Sequence, residues 1–364
     1  MPPTGTEPRK SASAPEPGGG SNEPVPRPWS GRRGRTAALG LAATSLAMLA
    51  GRSASHGPAP AASPVAGPAP DAETSHRAGP TWDLTVTDHE RVDFFIEFLM
   101  GKNYDKTRLW LERMGKYAPL IQNELRERGM PTDLLYLAMI ESGLSPDAYS
   151  RARAAGMWQF IAETGERHGL EVSQYVDERR DPVKATAAAL DYLQALHDRF
   201  DSWYLAAAGY NTGENRVGRL MRERTGTERG SDAAYWEIWN QLPSETRDYV
   251  PLMLAMGHIA KDPARYGFHG LEPQQPLQFE EVVVPGNTQL ADVAGAAGVD
   301  FATVRDLNPQ LVRKQTPPGR RWAVRIPIGD GQAVQLALGD RSGTPPEDVG
   351  GIGSAARRAR GVGQ

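Results

Sequence analysis

Residues 131–160 read PTDLLYLAMIESGLSPDAYSRARAAGMWQF, and the first half of this stretch predicts one helix. Pro131 suits a first helical turn, where its missing N–H is no loss, and Asp133 complements the positive end of the helix dipole. Leu134, Leu137, Ala138 and Glu141 fall at i, i+3, i+4 and i+7, so a carboxylate continues an otherwise apolar face. Gly143 and Pro146 stop the helix just beyond it. The C-terminal end of a helix repels negative charge, and an apolar face withdraws water from the charged form. Both effects are expected to raise the pKa of Glu141. A glutamic acid that keeps its proton near neutral pH can act as a general acid. On helix spacing alone, the plainer reading is a structural glutamate that caps a neighbouring element or pairs with an arginine.

The residues beyond the helix change that balance. Glu141-Ser142, Pro146, Ser150 and Gly156-Met157-Trp158-Gln159-Phe160 resemble the signature of the lytic transglycosylase (SLT) family. The resemblance continues at Gly209-Tyr210-Asn211 and at 242–251, LPSETRDYVP, so four motifs stand in order with family-like spacing. It implies a goose-lysozyme-like α fold and an enzyme that cleaves the glycan strands of peptidoglycan.

The chain has 364 residues and a formal net charge of −3, so no global basic field points to nucleic acid as a partner. It contains no cysteine, which excludes disulfides, thiolate metal sites and a cysteine nucleophile. Its seven histidines are scattered without metal-ligand spacing, so neither a metal nor any other cofactor is expected.

Read in order, residues 1–35 are a Pro/Gly/Ser-rich segment ending in Arg32-Arg33-Gly34-Arg35 and are expected to be disordered. The apolar run 36–51 after that basic flank reads as a signal peptide or signal anchor, which places the folded part in the cell envelope. Retained as an anchor it would tether the chain to the membrane; the lipoprotein anchor of related enzymes needs a cysteine and is not carried over to this chain. Residues 52–80 form a Pro/Ala-rich linker.

A helical lead-in is expected over 81–130. It comprises a helix carrying Val92, Phe95, Ile96 and Leu99, a second through Leu109, Met114 and Tyr117, and a third through Leu120, Ile121 and Leu125 to Gly129. The catalytic domain spans 131–262, all helical, with Asp181-Pro182 starting a clear helix at its N-cap and first position. A Pro/Gly-rich linker occupies 263–278. Over 279–328 the order strand, helix, helix, strand, with 285–288 (PGNT) and Leu307-Asn308-Pro309, resembles one LysM module, a family that binds N-acetylglucosamine-containing glycans. Asn287 stands where aspartate is more usual and Val283 where an aromatic often sits. Residues 329–364 are read as a disordered tail. The fold class is thus mainly α, a lysozyme-like catalytic domain followed by a small βααβ module.

The SLT resemblance implies roles residue by residue. Glu141 matches the single acid/base, and Tyr249 the tyrosine that reaches it from the last helix. Gly156, Met157 and Gln159 match the segment lining the sugar cleft, while Ser150 and Asn211 match polar groups that hold sugar substituents. Tyr210 flanks the carboxyl. Each has a plainer alternative: Ser150 as a turn residue, Asn211 as a helix-terminal residue, Tyr249 as packing, and Trp158 and Phe160 as core.

Ordinary glycosidases use two carboxylates. Asp147 is near in sequence but is expected to be solvated after Pro146. With one carboxylate, the resemblance implies an intramolecular reaction between N-acetylmuramic acid and N-acetylglucosamine that ends in a 1,6-anhydro product. A hydrolytic lysozyme of the same fold and a non-catalytic wall-binding protein remain the alternatives.

Overall fold

From residue 81 to residue 339, the part of the chain that the computed structural model describes, helix succeeds helix before a two-stranded sheet with its own helices follows. The helices are α1 (Glu90–Met100), α2 (Tyr104–Glu127), α3 (Leu135–Ser142), α4 (Ala162–Arg167), α5 (Pro182–Phe200), α6 (Trp203–Thr212), α7 (Glu214–Thr225), α8 (Asp232–Ile238) and α9 (Ser244–Lys261). Strand β1 (Glu280–Val284), α10 (Leu290–Ala297), α11 (Phe301–Leu307), β2 (Trp322–Ile326) and α12 (Gly331–Leu338) complete them.

Every residue of α3 is buried, as is α6 from Tyr204 to Thr212 and most of α9. A helix that is apolar on all sides belongs inside. Among these, α9 packs against both α3 and α6. Amphipathic helices enclose them, burying one stripe each: Val92, Phe95 and Leu99 of α1, and Leu190, Leu193, Leu196 and Phe200 of α5. The expected cap of α5 is present, with Asp181 accepting from the backbone N–H of Val183 at 2.9 Å and of Lys184 at 3.1 Å.

Two local expectations differ from what forms. The separate helices expected around Met114 and Leu120 are one helix, α2, with Pro119 inside it. An internal proline costs roughly 3 kcal/mol. Here the stripe Trp110, Leu111, Tyr117, Ala118, Ile121 and Leu125 runs buried through the proline, so one continuous face is worth more than a break; Leu109, expected in it, is exposed. The segment read as a linker lies along this helix, Gln274 donating to the Glu112 carbonyl and Leu277 to the Lys116 carbonyl. The helix expected from Pro131 begins as a 3-10 turn, Thr132–Leu134, capped by the Asp83 carboxylate, and becomes α-helical at Leu135.

The small sheet is antiparallel, pairing Glu280 with Ile326 and Val284 with Trp322. With α10 and α11 it forms the βααβ unit that the sequence suggests, with its own core of Val282, Val284, Leu290, Val293, Val304 and Ile326. Asn308 ties the unit together. Its side chain donates to the carbonyls of Val304 and Arg325 and accepts from the Arg325 N–H. The unit does not end at residue 328. Residues 331–338, read as part of a disordered tail, form α12, because Val334 and Leu338 enter this core and Glu280 accepts from the N–H groups of Gly329 and Gly331.

Candidate active site

The end of α3 sets the position of Glu141. Gly143 terminates the helix in the left-handed region at φ 61°, and a Cβ there would overlap the Trp110 indole, so both backbone and packing demand glycine. Arg113 of α2 donates to the Gly143 carbonyl at 2.7 Å, placing a cation on the negative end of the helix. Two residues before this stop, Glu141 is 1 % exposed. Tyr249 of α9 donates its hydroxyl to Glu141 Oε1 at 2.6 Å.

Burial first, and the negative charge of Glu141 second, push the Tyr249 phenol well above its usual pKa. It therefore keeps its proton and acts as a donor. Tyr210 of α6, buried beside the same carboxyl, is raised for the same two reasons. Its hydroxyl donates to the Trp158 carbonyl at 2.8 Å.

The segment after α3 folds back onto it. Ser142 donates to the Met157 carbonyl at 2.8 Å, so the residue next to the glutamate holds the returning chain. Bridges between Tyr149 and Ala155 and between Ala155 and Phe160 shape this return. Gly156 sits at φ 82°, where a Cβ would overlap the Arg179 carbonyl oxygen. Gln159, also left-handed at φ 50°, is fully buried and donates to the Gly156 carbonyl at 2.7 Å. Its Oε1 has no hydrogen-bond partner among the described residues. Asn211 accepts from the Thr246 hydroxyl at 2.8 Å, while its buried Nδ2 is likewise unpartnered among them. A buried acceptor and a buried donor thus lack partners among the described residues, on the two segments that carry Trp158 and Tyr210, which is costly unless something else fills them.

Of the residues singled out in sequence, Glu141, Tyr210 and Tyr249 converge, and Gly156, Met157 and Gln159 lie on the strip held against them. Ser150 is used locally, its Oγ accepting from the Ala154 N–H at 3.0 Å within a turn. Asp147 has a side chain 78 % exposed, with Arg180 at 3.7 Å, as its position after Pro146 suggests. Ser142, Thr246 and Thr186, which accepts from the Trp158 indole at 3.0 Å, are supports that sequence reasoning did not single out. Ser142, adjacent to the glutamate, and Thr246, within 242–251, both lie in quoted motifs, whereas Thr186 left no such signal. Among the described residues no cluster of histidine and carboxylate side chains is arranged to hold a metal ion.

Comparison with known proteins finds two family models along the chain. Residues 118–231 match the family model described as the transglycosylase SLT domain. The match spans the helical core from the end of α2 through α7. Residues 278–341 match the model described as the lytic transglycosylase MltD, LysM-like domain, and this match includes α12. Glu141, Tyr210 and Asn211 lie within the SLT match, and Tyr249 beyond its end.

Among curated proteins, the chain is 34 % identical over 244 residues to membrane-bound lytic murein transglycosylase D of Escherichia coli, covering 66 % of this chain and 52 % of that protein. It is 36 % identical over 115 residues to a putative tributyltin chloride resistance protein of an Alteromonas species, covering 31 % of this chain and 56 % of the relative. The chain thus spans about half the length of these two relatives. A solved structure, an inactive mutant of lytic transglycosylase Slt from Pseudomonas aeruginosa, is similar with a TM-score of 0.36 and 23 % identity over 49 % of this chain and 28 % of that one.

Proposed function

We propose that this chain is a peptidoglycan lytic transglycosylase in which Glu141 is the single acid/base. The observation that carries the reading is the buried Glu141 carboxyl at the end of α3, held by the Tyr249 hydroxyl at 2.6 Å. Burial and the helix C-terminus favour the neutral acid before reaction. The hydrogen bond donated by Tyr249 favours the carboxylate formed once the proton has left. Opposed influences of this kind poise one group to give a proton and take one back.

In the proposed reaction, Glu141 protonates the glycosidic oxygen between N-acetylmuramic acid and N-acetylglucosamine, and the bond from C1 to that oxygen breaks. The resulting carboxylate accepts the proton of the muramic acid 6-hydroxyl as its oxygen bonds to C1. A 1,6-anhydro end forms, no water is consumed, and Glu141 is protonated again. The muramyl acetamido group assists by stabilising positive charge at C1. Gln159 Oε1 and Asn211 Nδ2, buried and unpartnered among the described residues, are an acceptor and a donor suited to amide groups of the sugar. The exposure of Asp147 supports a one-carboxylate mechanism, because a solvated side chain is a poor second catalytic group.

The LysM-like module is read as a further contact to glycan strands, and the cell envelope as the site of action, in keeping with a relative named as membrane-bound. The apolar segment 36–51, read as the export signal or tether, lies outside the described residues. No described helix is long and apolar enough to cross a membrane. Mass spectrometry of the muropeptides released from purified peptidoglycan tests the proposal. The expected ends are 1,6-anhydro, each lighter by one water than the hydrolysed equivalent. Reducing ends would make the chain a lysozyme, and no release at all would make it a wall-binding protein.

A further inference from the structure

The small module is not strung beside the helical domain. Residues 174–177 of the helical domain pair with residues 310–313 of the module: Asp177 N–H donates to the Gln310 carbonyl at 2.9 Å, and Val312 N–H to the Tyr175 carbonyl at 3.0 Å. Val176 bridges to Leu311 and is fully buried in the module's core, so a side chain of one unit completes the packing of the other. Beside this seam, Arg325 of β2 reaches Asp181 at 2.9 Å, with the two side chains 4 % and 2 % exposed. Arg325 also lies 3.2 Å from Glu281 and stacks on the Phe279 ring. Buried this deeply, Asp181 is compensated by Arg325, which is shared between Asp181 and Glu281.

Both points of attachment lead to the strip that carries Gly156 and Gln159. The Asp177 carboxylate holds Arg179 through two bonds of 2.8 Å, and Arg179 donates to the carbonyls of Arg153 at 2.9 Å and Phe160 at 3.1 Å. The Arg179 carbonyl is the atom against which Gly156 is packed. Asp181 caps α5, whose first turns carry Thr186; Thr186 donates to the Pro182 carbonyl at 2.6 Å and accepts from the Trp158 indole. The Trp158 carbonyl in turn receives the Tyr210 hydroxyl beside Glu141.

We propose that the C-terminal module is a positioning element of the active site, with Arg325, through Asp181, and the 310–313 seam, through Asp177, holding the 153–160 strip in register with Glu141. This is a role apart from glycan binding, and it rests on the assignment of Glu141 as acid/base. It concerns turnover: a substrate too small to span both units would still be cleaved more slowly when the seam is loosened.

The test uses the full chain and a soluble, short muropeptide oligomer. Arg325→Gln, Asp181→Asn and the pair together are compared with the wild type for kcat, KM and thermal unfolding. Asparagine keeps the helix cap, so Asp181→Asn removes only the ion pair. Val176→Ala loosens the seam without leaving a buried charge and serves if a charge variant does not fold. A small displacement away from the reacting atoms can cost on the order of 100-fold. The expected result is a fall in kcat of about 10- to 100-fold in the single charge variants with KM little changed. A smaller fall is expected in Val176→Ala, and substantial recovery in the neutral Asp181→Asn/Arg325→Gln pair, whose amides can hydrogen-bond. Unchanged kcat with a lowered unfolding temperature would reduce the seam to a structural role and overturn the proposal. A wild type that releases no product would instead sink the functional reading on which it rests.

Discussion

At the scale of single residues, the pair formed by Glu141 and Tyr249 makes opposite demands on the proton, and substitutions separate them. Glu141→Gln keeps the shape and much of the hydrogen bonding but cannot give up and retrieve a proton. General acid–base catalysis is typically worth about 10²–10⁴-fold, so turnover is expected to fall by at least that order while glycan binding persists. Tyr249→Phe removes a donor to a charged acceptor, an interaction worth about 1.5–3 kcal/mol, so a loss of roughly 10- to 100-fold is expected. The same substitution moves the pH profile in a definite direction. Without that donor the carboxylate is less favoured, Glu141 holds its proton to higher pH, and the alkaline limb of kcat/KM moves upward. An unmoved or lowered limb would show that the hydrogen bond does not stabilise the carboxylate. Sequence reached Glu141 and Tyr249 through motif order, and helix spacing placed the glutamate near a helix end. Nothing local revealed that Gln159 and Asn211 each bury an atom unpartnered among the described residues, because that depends on what packs around them.

At the scale of elements, the strip 148–160 depends on backbone that only glycine adopts freely, and a matched pair of substitutions measures this. Gly156 and Gly169 have nearly the same φ, 82° and 83°, but a Cβ on Gly156 meets the Arg179 carbonyl oxygen whereas one on Gly169 meets nothing within 4 Å. Gly169→Ala is expected to cost about 1 kcal/mol, the strain of a left-handed alanine. Gly156→Ala should cost more than that and reduce activity, because the strip must shift; chemical denaturation of both variants reads the difference. Equal costs would show that Arg179 yields freely. The end of α3 was legible in sequence because Gly143 and Pro146 are local signals, and the cap of α5 because Asp181-Pro182 is one. The unbroken α2 was not, since Pro119 is a local breaker overruled by a buried stripe on both sides of it. Nor was α12, whose two buried residues become a helix face only against the core of the module.

At the scale of the whole molecule, the Arg325–Asp181 pair joins residues far apart in the chain, and neither neighbourhood announces the other. Stability at high pH is also a property of the whole, because it depends on phenols buried in the helical core. Tyr210, Tyr235 and Tyr249 are nearly fully buried, and burial raises each well above the usual tyrosine value. Above about pH 10 an unfolded chain loses these protons while the folded one retains them, so the stability they contribute is whole below that pH and is lost as pH rises further. Unfolding temperature is therefore expected to fall steeply above about pH 10 and, as far as these groups are concerned, to be level from neutrality up to it; a decline already complete by pH 9 would place its cause in other groups. Whether water or the sugar's own hydroxyl attacks C1 is the central chemical question, and one digestion addresses it. Purified peptidoglycan is incubated with the wild-type chain in water enriched in heavy oxygen, and the released muropeptides are weighed. Intramolecular closure by the 6-hydroxyl predicts anhydro ends that carry no heavy oxygen, whereas reducing ends bearing the label would contradict it by showing that water makes the attack.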